Sequence, residues 1–386
     1  MGRHHAGGFL MRIAAACLLL ALAAPAAADP AAVGPAALSR ALDAELASSL
    51  QADPSLPGIV ATVSAPRLGL QWSGAVGQAA DGAPLTPAHA LRLASVTKVY
   101  TAATVMRLAE QGRLDLFKPI APLLSDKTRS LLEAGGYRPD SITLHQLLTH
   151  TSGIYDYATS PAFVAAVQAD LSHRWSREEH IALAMTAGAP VGAPGERFHY
   201  SDTGYVILGE IIERTTGRPL GQAMAHELGF RRLGLTQTHF ERLDPTPGGQ
   251  KRARQLFGSI DVATIDPSMD LWGGGGLIST TPEVATFMRA LLLGQLFRKP
   301  GTLAASLLTP TSLPAKRPPH SALMEPGSTG REYCLRHAGY WGLVAIYCPA
   351  SDTSIVVSWN QVQPGPTTQE NGRLKLADRL AEIVQD

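Results

Sequence analysis

Strand-forming runs stand at both ends of this chain and helical periodicity fills the middle, and this arrangement constrains the fold more than any other feature. Residues 59–65 and 69–75 are β-rich runs joined by a short linker containing Pro66 and Arg67, a hairpin pattern. Residues 331–338, 343–348 and 353–359 are three more strand-like runs near the other end. Leu38, Leu42, Leu46 and Leu50 recur every fourth residue and mark a helix over 35–50; Leu376, Leu380 and Ile383 mark another over 373–384. Between the two ends, 99–109, 206–214 and 282–293 carry the helical period. The expected fold class is therefore α+β, with one antiparallel sheet built from both chain ends, covering helices and an inserted, mostly helical lobe. The sheet part takes in about 36–95 and 290–386, and the lobe about 96–289. A cleft at their junction is where functional residues belong. The proline-rich stretch 300–326 is expected to be a long surface connection.

The first residues read as an address. Arg3 and Arg12 precede an apolar run from Ile13 to about Ala24, followed by Pro25, the small residues Ala26, Ala27 and Ala28, and then Asp29. This is the order of a secretory signal, 1–28, with cleavage after Ala28 and a mature domain over 29–386 as the first reading and an uncleaved membrane anchor as the alternative. The apolar run has roughly 12 to 16 residues, short of the ~20 that span a bilayer, so no stable membrane span is expected after cleavage. Met11 directly precedes Arg12 and is an alternative start to Met1. Export to the periplasm or medium follows, and Cys17 leaves with the signal.

Removal of the signal leaves Cys334 and Cys348 in an oxidising compartment. They lie equally far on either side of Trp341, on two runs that read as paired strands, which predicts a cross-strand disulfide. With 33 Lys+Arg against 32 Asp+Glu, the formal charge of +1 supplies no field for nucleic acid. His145 and His150 lack the His-Glu-x-x-His spacing, and no metal or other cofactor is expected. The glycine run 273–276 is followed by no Gly-Lys-Ser/Thr and is not a nucleotide loop.

Ser95 and Lys98 lie three apart at the start of a helix whose apolar stripe runs through Val99, Ala102, Ala103, Met106 and Ala109. That spacing puts both side chains on one face. A serine at a helix N-terminus has backbone N–H groups nearby for an oxyanion, and a lysine buried in apolar surroundings has its pKa depressed and becomes a proton acceptor. Alone, a Ser-x-x-Lys match is close to chance expectation, and an N-cap serine beside a solvated lysine explains it equally well.

The order of further motifs changes that balance. Leu93-Ala94-Ser95-Val96-Thr97-Lys98, 147–153 (Leu-Leu-Thr-His-Thr-Ser-Gly), Tyr200-Ser201-Asp202, 275–280 (Gly-Gly-Leu-Ile-Ser-Thr) and His337-Ala338-Gly339 follow one another along nearly the whole mature chain. Together they resemble the serine β-lactamase and penicillin-binding-protein superfamily, in particular its class C β-lactamase, D-alanyl-D-alanine carboxypeptidase and related esterase branch. The resemblance implies the β-lactamase/transpeptidase-like fold. It implies Ser95 as nucleophile and Lys98 and Tyr200 sharing the base role, since a phenol of pKa near 10 is more readily ionised beside an ammonium. It implies His337 as the cation or donor of the third motif, Gly339 as a point of close backbone approach, and the N–H of Tyr340 as second oxyanion donor beside that of Ser95. The glycine run becomes part of the cleft wall, and Tyr155, Tyr157 and Trp341 are candidates to line the pocket.

Two departures bear on the substrate. Asp202 stands where many members have Asn, and an ionised carboxylate cannot donate a hydrogen bond. Ala338 replaces a Thr whose hydroxyl helps hold a substrate carboxylate. The expectation is an acyl-transfer hydrolase acting on a small-molecule or peptidoglycan-derived substrate, either a D-amino-acid peptide or β-lactam, or an ester or small amide. A non-catalytic sensor is the third class, and the complete Ser, Lys and Tyr set argues against it.

Overall fold

The computed structural model describes residues 34–307, 321, 323–362 and 370–385. The proposed signal, 1–28, lies outside them. Six antiparallel strands form the main sheet in the order Leu70–Gly77, Gly58–Ala65, Thr353–Ser358, Leu343–Cys348, Glu332–Ala338, Glu325–Thr329. The two chain ends meet where Gly58–Ala65 pairs with Thr353–Ser358, Val60 opposite Ser358 and Ser64 opposite Ser354. The hairpin between the first two strands turns on Pro66–Leu68 and closes with Gly69 at φ 63°, a left-handed conformation that a glycine adopts without steric penalty.

Alternation along the strands decides which core each residue joins. Ile59, Ala61, Val63, Val344 and Ile346 face the helices Pro35–Ala52 and Glu370–Gln385, packing with Leu42, Leu46, Leu376 and Leu380. Val60, Ala345, Tyr347 and Val356 join the larger core on the other face, which includes Phe287 and Met288 of the helix Thr281–Leu292. Both faces are covered, so these strands read as nearly continuous apolar runs. Register places Cys348 opposite Cys334, and the two are joined in a disulfide.

The helix Thr97–Glu110 is buried on almost every side and packs against Asp202–Thr216 and Leu220–Leu228. A short sheet of Leu91–Arg92, Leu277–Ser279 and His239–Phe240 leads the chain into this helix and holds it beside the glycine run. The expected surface connection over 300–326 needs correction at both ends. Pro300–Ser306 is a helix with Pro in its first turn, a favoured starting position. The Glu110 carboxylate accepts from the N–H groups of Arg298 (2.7 Å) and Lys299 (2.6 Å) and from the Thr302 hydroxyl (3.0 Å), which anchors that start. At the far end Leu323 and Met324 are buried and Glu325–Thr329 forms the sheet edge; 308–320 lies outside the described residues. Among the described residues no helix is long and apolar enough to cross a membrane.

Candidate active site

Ser95 sits on a tight 3-10 turn, Ala94–Val96, between the strand Leu91–Arg92 and the helix Thr97–Glu110. Ala94 has φ +46°, a conformation that costs a non-glycine residue energy and that clusters at functional turns. The turn is held from outside. Gly339, at the end of Glu332–Ala338, lies so close to it that a Cβ there would stand 2.2 Å from the Leu93 carbonyl oxygen. Tyr340 follows directly, so the chain bearing its N–H is held at the turn that carries Ser95.

Lys98 is fully buried, and its Nζ donates to Ser95 Oγ (3.0 Å), to the Gly274 carbonyl (2.7 Å) and to Asp202 Oδ1 in a short ion pair. The carbonyl and the carboxylate can only accept. Burial on its own lowers the Lys98 pKa, but the Asp202 carboxylate, with smaller help from Tyr200 and Asp270, outweighs it and holds the ammonium above the ordinary lysine value. This corrects the expectation of a lysine deprotonated by apolar burial, because a carboxylate occupies the position where the family often has a neutral amide. Asp202, expected as a substrate-binding residue, lines the cavity and is also the ion-pair partner of Lys98.

Tyr200 stands over the same pair, with Lys98 Nζ 5.2 Å from its ring centroid. Burial pushes its phenol up to about 12, against the pull of Lys98 and of hydrogen bonds to Ser95 and Lys98, although part of the ring stays open to the cavity. His150 stacks on Tyr200 with centroids 4.2 Å apart, and its Nδ1 accepts from the Ser201 N–H at 3.1 Å. The sequence offered His150 only as a non-ligand; its place inside the 147–153 motif was the signal for a supporting role.

Two further carboxyls surround the charge. Asp156 accepts from the N–H groups of Asp202 (3.0 Å) and Ala158 (3.1 Å), and burial followed by the Asp202 charge pushes it up to about 7. Burial likewise raises Asp270 to about 7, against the pull of Lys98. The glycine run lies beneath this cluster and does not line the cavity. A Cβ at Gly274 would stand 3.0 Å from Asp202 Oδ1, and one at Gly275 only 2.1 Å from Asp270 Oδ1. Neither Asp156 nor Asp270 belongs to a pattern that sequence reading could single out. Among the described residues no group of three or more His, Cys, Asp or Glu side chains is arranged to hold a metal ion.

A cavity of about 1450 Å³ opens above Ser95, and its wall includes Asp202, His337, Ala338, Gly339, Tyr340 and Trp341. His337 is buried, with Nδ1 3.1 Å from the Ala338 carbonyl oxygen. The Tyr340 side chain is exposed, while Trp341 is buried with Ala94, Val262 and Ile265. Tyr157 lines the cavity, but Tyr155 does not. The Tyr155 ring packs on the backbone of Gly188, where a Cβ would stand 2.2 Å from it, and only its carbonyl turns toward the Asp202 helix, accepting from Thr203 Oγ1 at 2.8 Å. Arg373, which the sequence reading did not single out, reaches in from the C-terminal helix, lines the cavity and donates from Nη1 to the Gly339 carbonyl at 2.7 Å.

A serine hydroxyl bonded to a buried ammonium and a phenol, at the foot of a cleft in this α+β frame, defines a serine hydrolase. The chain belongs to the Beta-lactamase family, whose model matches residues 44–379. It is 30% identical over 236 residues to esterase EstB of Burkholderia gladioli, a stretch covering 54% of this chain and 59% of that protein. It is 26% identical over 329 residues to a putative D-alanyl-D-alanine carboxypeptidase of Escherichia coli K12, covering 74% of each. Among solved structures, a D-stereospecific amidohydrolase from Streptomyces superposes with a TM-score of 0.70 at 28% identity, over 83% of this chain and 94% of that one.

Proposed function

We propose that the protein is an exported hydrolase that forms an acyl-enzyme on Ser95 and acts on a peptide amide or β-lactam-like bond. The observation that carries this reading is the bond from Lys98 Nζ to Ser95 Oγ beneath Tyr200. Lys98, with acceptors on its N–H groups, acts as a fixed cation. As Ser95 Oγ bonds to the substrate carbonyl carbon, its proton passes to the Tyr200 oxygen while the proton of Tyr200 passes to the departing nitrogen or oxygen. Developing phenolate character is stabilised by the ammonium, and the N–H groups of Ser95 and Tyr340 receive the oxyanion. Water then repeats the sequence in reverse and frees Ser95. Arg373 beside Gly339 supports the peptide reading, because a cation on the cavity wall compensates for the hydroxyl missing at Ala338 in meeting a substrate carboxylate. The N-terminal sequence and the Cys334–Cys348 bond support export.

An ester is the second reading, favoured by the largely apolar cavity wall and by the likeness to an esterase. A D-alanyl peptide, a chromogenic cephalosporin and a nitrophenyl ester, each offered to the wild type and to Ser95→Ala, separate the readings. The expected result is turnover of at least one class by the wild type and none by the variant. Full activity of purified Ser95→Ala overturns the assignment of the nucleophile.

A further inference from the structure

We propose that the cavity contains an apolar subsite, formed by Phe163, Val164, Val167, Leu171, Ile265 and Met269, which selects substrates carrying a bulky apolar group; this rests on the hydrolase reading above. The helix Pro161–Ala169 is the main wall. It contains no charged residue, and of its apolar side chains only Phe163 is buried in the protein core. Val164 remains 46% exposed and Val167 is half-buried, and both face the same cavity as Ser95. Such a surface is unfavourable in water unless something covers it, and continuity with the reactive serine identifies the covering group as part of the substrate. Across the mouth Tyr340, also 52% exposed, stands 5.9 Å from Phe257 and 5.1 Å from Trp341, centroid to centroid. The volume of about 1450 Å³ exceeds the ~300–1,000 Å³ usual for small-molecule sites and is far larger than a methyl side chain needs.

The test measures binding apart from turnover. Ser95→Ala protein is titrated calorimetrically with 2-alkanones from butanone to undecanone, whose carbonyl mimics that of the substrate. Affinity is expected to rise up to about fourfold per methylene until the wall is filled. Val164→Asp, at an exposed position where folding is safe, and Val167→Asp are expected to flatten that rise. A series with no dependence on chain length, or one whose slope both variants leave intact, overturns the proposal. Turnover of the three substrate classes by the wild type reports on the hydrolase reading separately.

Discussion

Replacing Asp202 with Asn tests the electrostatic core of the site. The change keeps an acceptor oxygen near Lys98 Nζ and removes only the charge. Lys98 and Asp202 side chains are 1% and 13% exposed, so solvent screens the pair weakly. At an effective dielectric of about 20, opposite charges ~4 Å apart attract by ~4 kcal/mol, and removing one member of a buried pair costs about 3–5 kcal/mol. Because the amide oxygen remains, the expected loss of stability is near the lower end, about 3 kcal/mol, or roughly 5 °C in melting temperature. The same energy makes Lys98 about a hundredfold easier to deprotonate. The sign is fixed by direction. Lys98 is raised in the folded state, so its contribution is complete at neutral pH and fades only as pH climbs through its folded pKa. In Asp202→Asn the fading begins at lower pH, and the alkaline limb of kcat/KM, where the cation beside Tyr200 is lost, moves the same way. Asp156 and Asp270, both raised by the Asp202 charge, ionise more readily in the variant and compensate in part. A cycle of Asp202→Asn, Lys98→Met and the double variant, followed by thermal melting, isolates the coupling. Coupling near zero together with superimposable pH profiles would refute the reasoning.

Other consequences are open to direct measurement. Gly339→Ala puts a Cβ 2.2 Å from the Leu93 carbonyl oxygen, which is backbone and cannot swing aside; the turn bearing Ser95 should shift and kcat/KM fall by at least about a hundredfold, since small misplacements cost that much. Wild-type turnover in this variant would contradict the close approach. The Cys334–Cys348 bond spans 14 positions, so chain entropy gives it about 3 kcal/mol, and Cys334→Ala/Cys348→Ala should melt several degrees below the oxidised protein. Asp156 and Asp270 have folded pKa values of about 7, above their ordinary value of 3.8. The native state therefore binds more protons than the unfolded chain between about pH 4 and 7, and their contribution to stability is lost as pH rises through that window. Asp270→Asn should flatten the decline in melting temperature from pH 5 to 8, and an unaltered slope would remove Asp270 from this account.

The frame was legible because its signals are local. The β-rich apolar runs of Gly58–Ala65 and Leu343–Cys348, buried along their whole length, and the period of four in Pro35–Ala52 need only neighbouring residues to declare themselves. The disulfide followed from symmetry about Trp341, which the strand register reproduces. The two ends of 300–326 were misread as surface connection, because Pro300 starts a helix whose anchor, Glu110, lies 190 residues earlier, and Glu325–Thr329 pairs as a strand with Glu332–Ala338. Tyr155 was misread because residue type alone does not say that Gly188 leaves room for its ring on the far side.

The charge state of Lys98 was illegible for a deeper reason. Its proton is held by the Gly274 carbonyl and the Asp202 carboxylate, which reach it from segments 176 and 104 residues away. The carbonyl approaches because Gly273, at φ 110°, turns the chain and because no Cβ at 274 or 275 crowds Asp202 and Asp270. A pattern that sees Ser95 and Lys98 three apart on a helix records proximity, but proximity is compatible with either protonation state. What decides between them is the balance of burial against a second charge, and that balance exists only once the glycine run and the Asp202 helix have closed around the amine. The glycines therefore act on the chemistry through space they leave empty: Gly274→Ala, whose Cβ meets Asp202 Oδ1 at 3.0 Å, should move the pH profile, whereas a Cβ at Gly275, 2.3 Å from the Asp270 carbonyl oxygen, would displace backbone as well.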